Sequence, residues 1–318
     1  MQFEPVLTLT AIIISHRRKK VNTFFTKMIK INQISPQENK FTEVLANIAV
    51  KPKTLYYYGK LPEKREKAVA IVGSRRNTRY GEEIAYKLAF ELAKRGVIVI
   101  SGLAFGIDAV AHKGAVDAGG RTIGVLGTEI EKIYPKANEN LARKMIELGG
   151  AVMSEYKKGD VYFPDKGSFL QRNRIIAGLS DVVVVVEAAI KSGSLNTATH
   201  ALDQGKMLFA VPGNITNPYS QGCNRLIKQG AEPYTGVEDV LDYLFPPEKK
   251  RKKAGQLLIF GDNEVETQIL KALGEGIADG GEIVEKCGIS VSDFNQTMTM
   301  LEIKGRVRAL GANQWCLV

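Results

Sequence analysis

Short, uniformly apolar runs recur along the middle of the chain at residues 68–72, 97–100, 122–126, 151–153, 182–186 and 207–211. They are rich in Val and Ile and do not alternate with polar positions, which is how strands buried on both faces read. Between them, apolar residues at helical spacing predict helices at 82–94, 107–118, 138–148, 172–179 and 195–204. Gly96, Gly119 and Gly205 follow three of these, where a left-handed terminal residue costs least. Alternating strand and helix predict an α/β domain over residues 66–246, an extended Rossmann-like, doubly wound and mostly parallel sheet. Ligands of such sheets bind beyond the carboxyl ends of the strands. The loops after each strand are therefore where function is expected.

The pattern changes after a last helix at 237–245. Pro246, Pro247 and the run KKRKK at 249–253 make residues 247–262 a basic linker by composition. Residues 263–318 then show three amphipathic segments, 265–273, 281–287 and 290–304, followed by strand-like pieces at 306–310 and 314–318. Three helices and a terminal hairpin predict a small winged-helix domain. Residues 30–65 read as an irregular lead-in. Residues 1–29 read as an extension, either disordered or the product of an upstream start, because Met28 opens a more typical polar beginning.

The balance of 44 Lys and Arg against 34 Asp and Glu gives a net charge of +10, which favours polyanionic partners. Residues 1–27 carry five basic residues and one acid, so the basic character survives without them. The apolar run at 6–15 is too short to span a bilayer, and its charges follow it, the reverse of a secretory signal. No membrane association is expected. Three separated cysteines and three histidines support neither a disulfide framework nor a metal site, and they fit a reducing cytoplasm.

Three loops carry candidate chemistry. The first is Gly73-Ser74-Arg75-Arg76, running through Arg79 into a helix. Glycine admits a ligand close to the backbone, free N–H groups at a helix start attract phosphate, and arginine adds forked donors. The second, Phe163 to Arg174, sets aromatic and basic residues directly ahead of a helix. Single-stranded nucleic acid needs that pairing, with cations for the backbone and an aromatic face for a base. Equally, Phe169 belongs in the core and the cations in solvent. The third, Lys191-Ser192-Gly193-Ser194, offers hydroxyls and N–H groups at another helix start. The SGLAFGID stretch at 101–108 fits a structural turn as well as a phosphate nest. All of these converge on one edge of the sheet.

What is missing narrows the chemistry. There is no GxxxxGK[ST], no GxGxxG after the first strand, no HExxH and no GxSxG. Glu187 at a strand end reads as an ordinary acid rather than a general base, and His112 and His200 read as structural. No enzyme class, cofactor or metal is expected.

The stretches AIVGSRRNTRYG, VISGLAFGIDAVAHKGAVDAGGRTIGVLG, YP at 134–135, RNRIIAGLSDVVVVVEA, SGSLNTATHALDQGK and FAVPGN resemble the DNA-processing protein A (DprA/Smf) family, over about residues 66–235. The resemblance implies a cytoplasmic, non-enzymatic recombination mediator of natural transformation and competence. Such a protein binds single-stranded DNA, dimerises and loads the RecA recombinase onto that strand. Carried over by position, the DNA-contacting elements fall on four places: Gly73, Ser74 and Arg75; Lys166 and Phe169; Arg172, Asn173 and Arg174; and Ser192, Gly193 and Ser194. Residues 1–40 are too short for the N-terminal helical domain of many members. The tail resembles the winged helix of some, with Arg306 and Arg308 either touching duplex DNA or facing solvent. Two other classes compete. A phosphoribohydrolase-like nucleotide-processing hydrolase would carry PGGxGTxxE, which VPGN at 211–214 does not match. A winged-helix regulator would read duplex sequence through residues 290–304.

Overall fold

A computed structural model describes residues 30–160, 166–246, 261–311 and 313–317, with Lys166 described by its backbone alone. The expectations for residues 1–29 and for 247–260 lie outside the described residues. The chain divides into two compact units, up to Phe245 and from Pro246.

In chain order the first unit runs β1 (Asn32–Ile34), β2 (Leu55–Gly59), β3 (Ala68–Val72), α1 (Arg79–Lys94), β4 (Ile98–Ser101), α2 (Ile107–Asp117), β5 (Thr122–Leu126) and α3 (Glu139–Glu147). It continues with β6 (Ala151–Ser154), α4 (Lys166–Leu179), β7 (Val182–Val185), α5 (Ser194–Asp203), β8 (Met207–Ala210), α6 (Gln221–Lys228), β9 (Glu232–Pro233) and α7 (Val237–Leu244). The nine strands form one sheet in the order β1-β2-β6-β5-β4-β3-β7-β8-β9. Every pairing from β6 to β9 is parallel, while β1–β2 and β2–β6 are antiparallel.

The central strands sit where their apolar runs place them, because both faces are covered. In β3, Ala68, Ala70 and Val72 pack into one core with Ile175, Ile176 and Leu179 of α4, while Val69 and Ile71 pack into the other with Leu88 and Leu92 of α1. Alternate residues of one apolar run thus serve two layers. Gly96, Gly119 and Gly205 all adopt positive φ, with values of 76°, 70° and 65°.

Three segments differ from expectation. Residues 30–65 are not merely an irregular lead-in: β2 extends the sheet through Tyr56↔Ser154, Tyr57↔Met153 and Tyr58↔Val152, and Phe41, Leu45 and Ile48 complete a core face. Their apolar positions meet partners far along the chain, so no local period reveals them. Helix α4 starts at Lys166 rather than at 172, and its first turns hold Phe169 against the loop after β5. Helix α6, with Gly222 and Cys223 buried against the sheet, had no counterpart in the pattern. Gly222 leaves no room for a side chain, since a Cβ would stand 2.6 Å from the Ala188 carbonyl oxygen.

The second unit comprises α8 (Glu264–Gly274), α9 (Gly280–Cys287), α10 (Val291–Ile303), β10 (Val307–Gly311) and β11 (Gln314–Leu317), the last two an antiparallel hairpin. Ile269, Leu270, Ile283, Phe294, Met298 and Leu301 form its own core. Asn263, Asp279 and Ser290 cap the three helices through their side chains.

Candidate nucleic-acid interface

The strand order reverses between β3 and β7, because β4, β5 and β6 follow β3 on one side while β8 and β9 follow β7 on the other. The loops leaving these two neighbours diverge and open a crevice there. A cleft of about 680 Å³ occupies it. Gly73, Ser74, Arg75 and Arg76 line it from the loop after β3, Lys191, Ser192, Gly193 and Ser194 from the loop after β7, and Phe169, Arg172 and Asn173 from α4.

The loop after β3 is held open by its neighbours. Ile107 N–H donates to the Ser74 carbonyl at 3.1 Å, and a Cβ at Gly73 would lie 2.7 Å from the Ile107 side chain. Thr78 caps α1 and is itself gripped by Glu187, which accepts from Thr78 N at 2.8 Å and from Thr78 Oγ1 at 2.5 Å. A side chain at Gly81 would fall on that carboxylate. Glu187 is therefore fully engaged in fixing the helix start, which answers its reading as an ordinary strand-end acid.

Phe169 is half-buried on the cleft wall. The Arg75 guanidinium stands 5.1 Å from its ring centre, and Tyr134 lies against it at 5.7 Å between centroids. Gly127 makes the space: a Cβ there would meet Phe169 Cδ1 at 2.7 Å. Neither alternative from the sequence holds alone, since the ring is seated on the fold and still borders the cleft. Arg75, Arg76 and Lys191 are exposed and supply the cations. The side chain of Lys166 lies outside the described residues.

The RNR segment is different. Arg172 is 5% exposed, with Nη1 donating to the Gly102 carbonyl at 2.8 Å and also to that of Val125. Burial lowers its pKa to about 10, against the favourable charge of Asp108, and burial raises the Asp108 carboxyl despite Arg172. Arg174 turns to the other side, pairing with Glu155 at 2.7 Å and donating to the Val50 carbonyl. The structure thus places Arg174 away from the cleft and Arg172 in its floor. The DNA contacts expected from the sequence left out Tyr134, Asp108 and Lys191, although Lys191 and Asp108 stood in candidate loops. Lys191 was readable as the cation opening the SGS turn, whereas nothing local tied Tyr134 to Phe169.

His112 is buried beneath this floor, its Nδ1 2.7 Å from Thr122 Oγ1. Burial, reinforced by the Arg172 charge, pushes its pKa down to about 3. An unfolded chain takes up a proton near the ordinary value of 6.5 that the folded chain refuses. This contribution to stability is complete above pH 6.5 and is lost as pH falls toward 3, by at most about 1.4 kcal/mol per pH unit. His112→Gln is expected to flatten the fall of urea midpoint between pH 6 and about 4 relative to wild type. Parallel curves for the two proteins would contradict a neutral buried imidazole.

Among the described residues, no group of three or more His, Cys, Asp or Glu is arranged for a metal, and no helix is long and apolar enough to cross a membrane.

Residues 32–245 match the family model for DNA recombination-mediator protein A. The chain belongs to that family. Residues 258–313 match the winged-helix domain model of DprA, the same family's C-terminal module. Protein Smf of Escherichia coli is 38% identical over 264 residues, spanning 81% of this chain and 70% of the other. DNA processing protein DprA of Streptococcus pneumoniae is 42% identical over 197 residues, 62% of this chain and 68% of the other. The solved structure of that pneumococcal protein superposes with a TM-score of 0.61 at 36% identity, covering 74% of this chain and 82% of the other. A solved structure of DNA processing protein A from Helicobacter pylori, described for its single-stranded DNA binding mode, gives a TM-score of 0.59 at 32% identity, covering 69% and 97%. None of these relatives carries an enzyme's name.

Proposed function

We propose that this DprA-family protein binds single-stranded DNA in the switch-point cleft and acts without catalysis as a recombination mediator, loading the RecA recombinase onto the strand as a dimer in the cytoplasm. The observation that carries the binding is Phe169, seated on Gly127, flanked by Arg75 and facing the Ser192, Gly193 and Ser194 turn. An aromatic face beside cations and a hydroxyl-bearing turn suits a stacked base whose phosphates lie to either side. Arg75, Arg76 and Lys191 are the phosphate ligands of this reading, joined by Lys166, with Gly73, Ser74 and the 192–194 turn donating from backbone and hydroxyl.

The winged-helix part of the second unit, beyond the basic run at 249–253, does not suit phosphate: residues 261–318 hold five basic residues against nine acidic ones, a net charge of −4, whereas residues 30–246 hold 29 against 23. Helix α10, the one a winged helix would lay in a groove, has Asp293 and Glu302 and no cation. Lys286 and Lys304 are paired with Glu275 and with Asp262 and Glu266. Single-strand binding is therefore assigned to the first unit.

Fluorescence anisotropy of labelled oligo-dT and of equal-length duplex, across a salt series, tests this. The four cations of this reading predict a slope of log affinity on log salt of about −3 for the single strand, and weaker duplex binding. Deleting residues 254–318 is expected to leave both affinity and slope for oligo-dT unchanged. A slope near zero, or loss of binding with the deletion, contradicts the assignment. Mixing in RecA and following its nucleation on coated single strand tests the loading step separately.

A further inference from the structure

Residues 172 and 173 read as DNA contacts in the sequence, yet both are buried and bonded to protein through Arg172 Nε and Nη1 and both ends of the Asn173 amide. Asn173 Nδ2 donates to the Gly193 carbonyl and to Asn196 Oδ1, each at 3.2 Å. Its Oδ1 accepts from Arg172 Nε at 3.2 Å. Arg172 in turn holds the Gly102 and Val125 carbonyls, and Gly102 N–H donates to Asp108 Oδ2 at 3.1 Å. A Cβ at Gly102 would stand 2.5 Å from Arg172 Nη2, so that loop is fitted to the guanidinium.

We infer that Asn173 is a positioning residue for the turn at 192–194. It fixes the Gly193 carbonyl inward and so holds the turn, with its mutually bonded Ser192 and Ser194 hydroxyls, along the cleft wall. Arg172 anchors the amide and ties the turn to the loop after β4 and to the end of β5. One pair of adjacent residues on α4 therefore sets two of the site's loops in register with the strand edge. A buried amide with both ends engaged is costly to leave unpaired, which gives the link its stiffness. The turn itself needs such support: Ser192 Oγ and Ser194 Oγ bond each other at 2.7 Å, and a Cβ at Gly193 would meet only Leu170 Cδ2, at 3.9 Å.

This inference rests on the single-strand reading of the cleft, and two separable measurements test it. Asn173→Asp keeps the shape and the bond from Arg172 while setting a carboxylate against two acceptors, Gly193 O and Asn196 Oδ1. It is expected to weaken oligo-dT binding about tenfold and to speed amide exchange of residues 191–196. In double-mutant cycles its effect is expected to be non-additive with Ser192→Ala, through the shared turn, and additive with Arg75→Ala. Should Asn173→Asp fail to fold, Asn196→Ala removes one of the same bonds from the turn side and carries the same expectations. Unchanged exchange at 191–196, or additivity with Ser192→Ala, overturns the positioning role. If the wild-type protein does not bind oligo-dT while Asn173→Asp still speeds exchange, the DNA reading fails and the positioning role stands.

Discussion

Arg172→Met is expected to lower the stability of the larger unit by about 3–5 kcal/mol, the cost of removing one partner from a buried, hydrogen-bonded charge arrangement. The guanidinium joins the carbonyls of Gly102 and Val125 beneath the cleft, and its charge is what offsets the buried Asp108 carboxylate. Methionine matches the length of the arginine stem and none of its donors. Two buried carbonyls lose their donor, and the Asp108 carboxyl keeps its bonds from the loop after β4 but loses the favourable charge beside it. Urea unfolding followed by far-UV circular dichroism measures the loss. Trp315, the single tryptophan, lies in the second unit, so its fluorescence reports that unit alone and is expected to hold its midpoint. Asp108→Asn added to Arg172→Met is expected to recover part of the loss by removing the uncompensated charge. An unchanged circular-dichroism midpoint for the single variant would return Arg172 to the role of a surface DNA ligand.

Phe169→Ala is expected to weaken oligo-dT binding by about 10–100-fold, corresponding to 1–3 kcal/mol for a stacked base. The salt slope should stay where it was, because no phosphate contact is removed. Arg75→Ala is the contrast: it removes a cation, so its effect shrinks as salt rises and the slope falls in magnitude by about 0.7. Measured side by side, the two variants separate stacking from charge. Phe169→Leu keeps most of the volume over Gly127 without a π-face, which guards against reading a packing defect as lost stacking. Full affinity in Phe169→Leu would place the base elsewhere in the cleft.

Much of the fold was legible because a parallel strand covered by helices on both sides has no polar positions to confuse the reading. The run at 182–186 is such a case: Val182 and Val184 face one core, Val183 and Val185 the other. The candidate loops were legible for the same reason, since every one follows such a strand. Residues 30–65 were not. Tyr56, Tyr57 and Tyr58 become a strand because β6 offers an antiparallel edge nearly a hundred residues later, and Phe41 and Leu45 are buried by helices they never neighbour in sequence. The start of α4 was hidden similarly, as Gly167 and polar neighbours break the helical period that Phe169 restores by packing against Tyr134.

The chain by itself determined the alternation of strand and helix, the basic and aromatic residues at one sheet edge and the family motifs. These depend on residue type and spacing along the backbone, which a sequence states directly. Only the tertiary structure decided which cations face the cleft. Arg75 and Arg172 are alike in the sequence, but one lies over Phe169 at the surface, while the other has exchanged water for two carbonyls and a buried carboxylate's field. Charge alone does not distinguish a ligand for DNA from a tie for the fold; the distinction is made by burial and by the partners that distant loops bring to it.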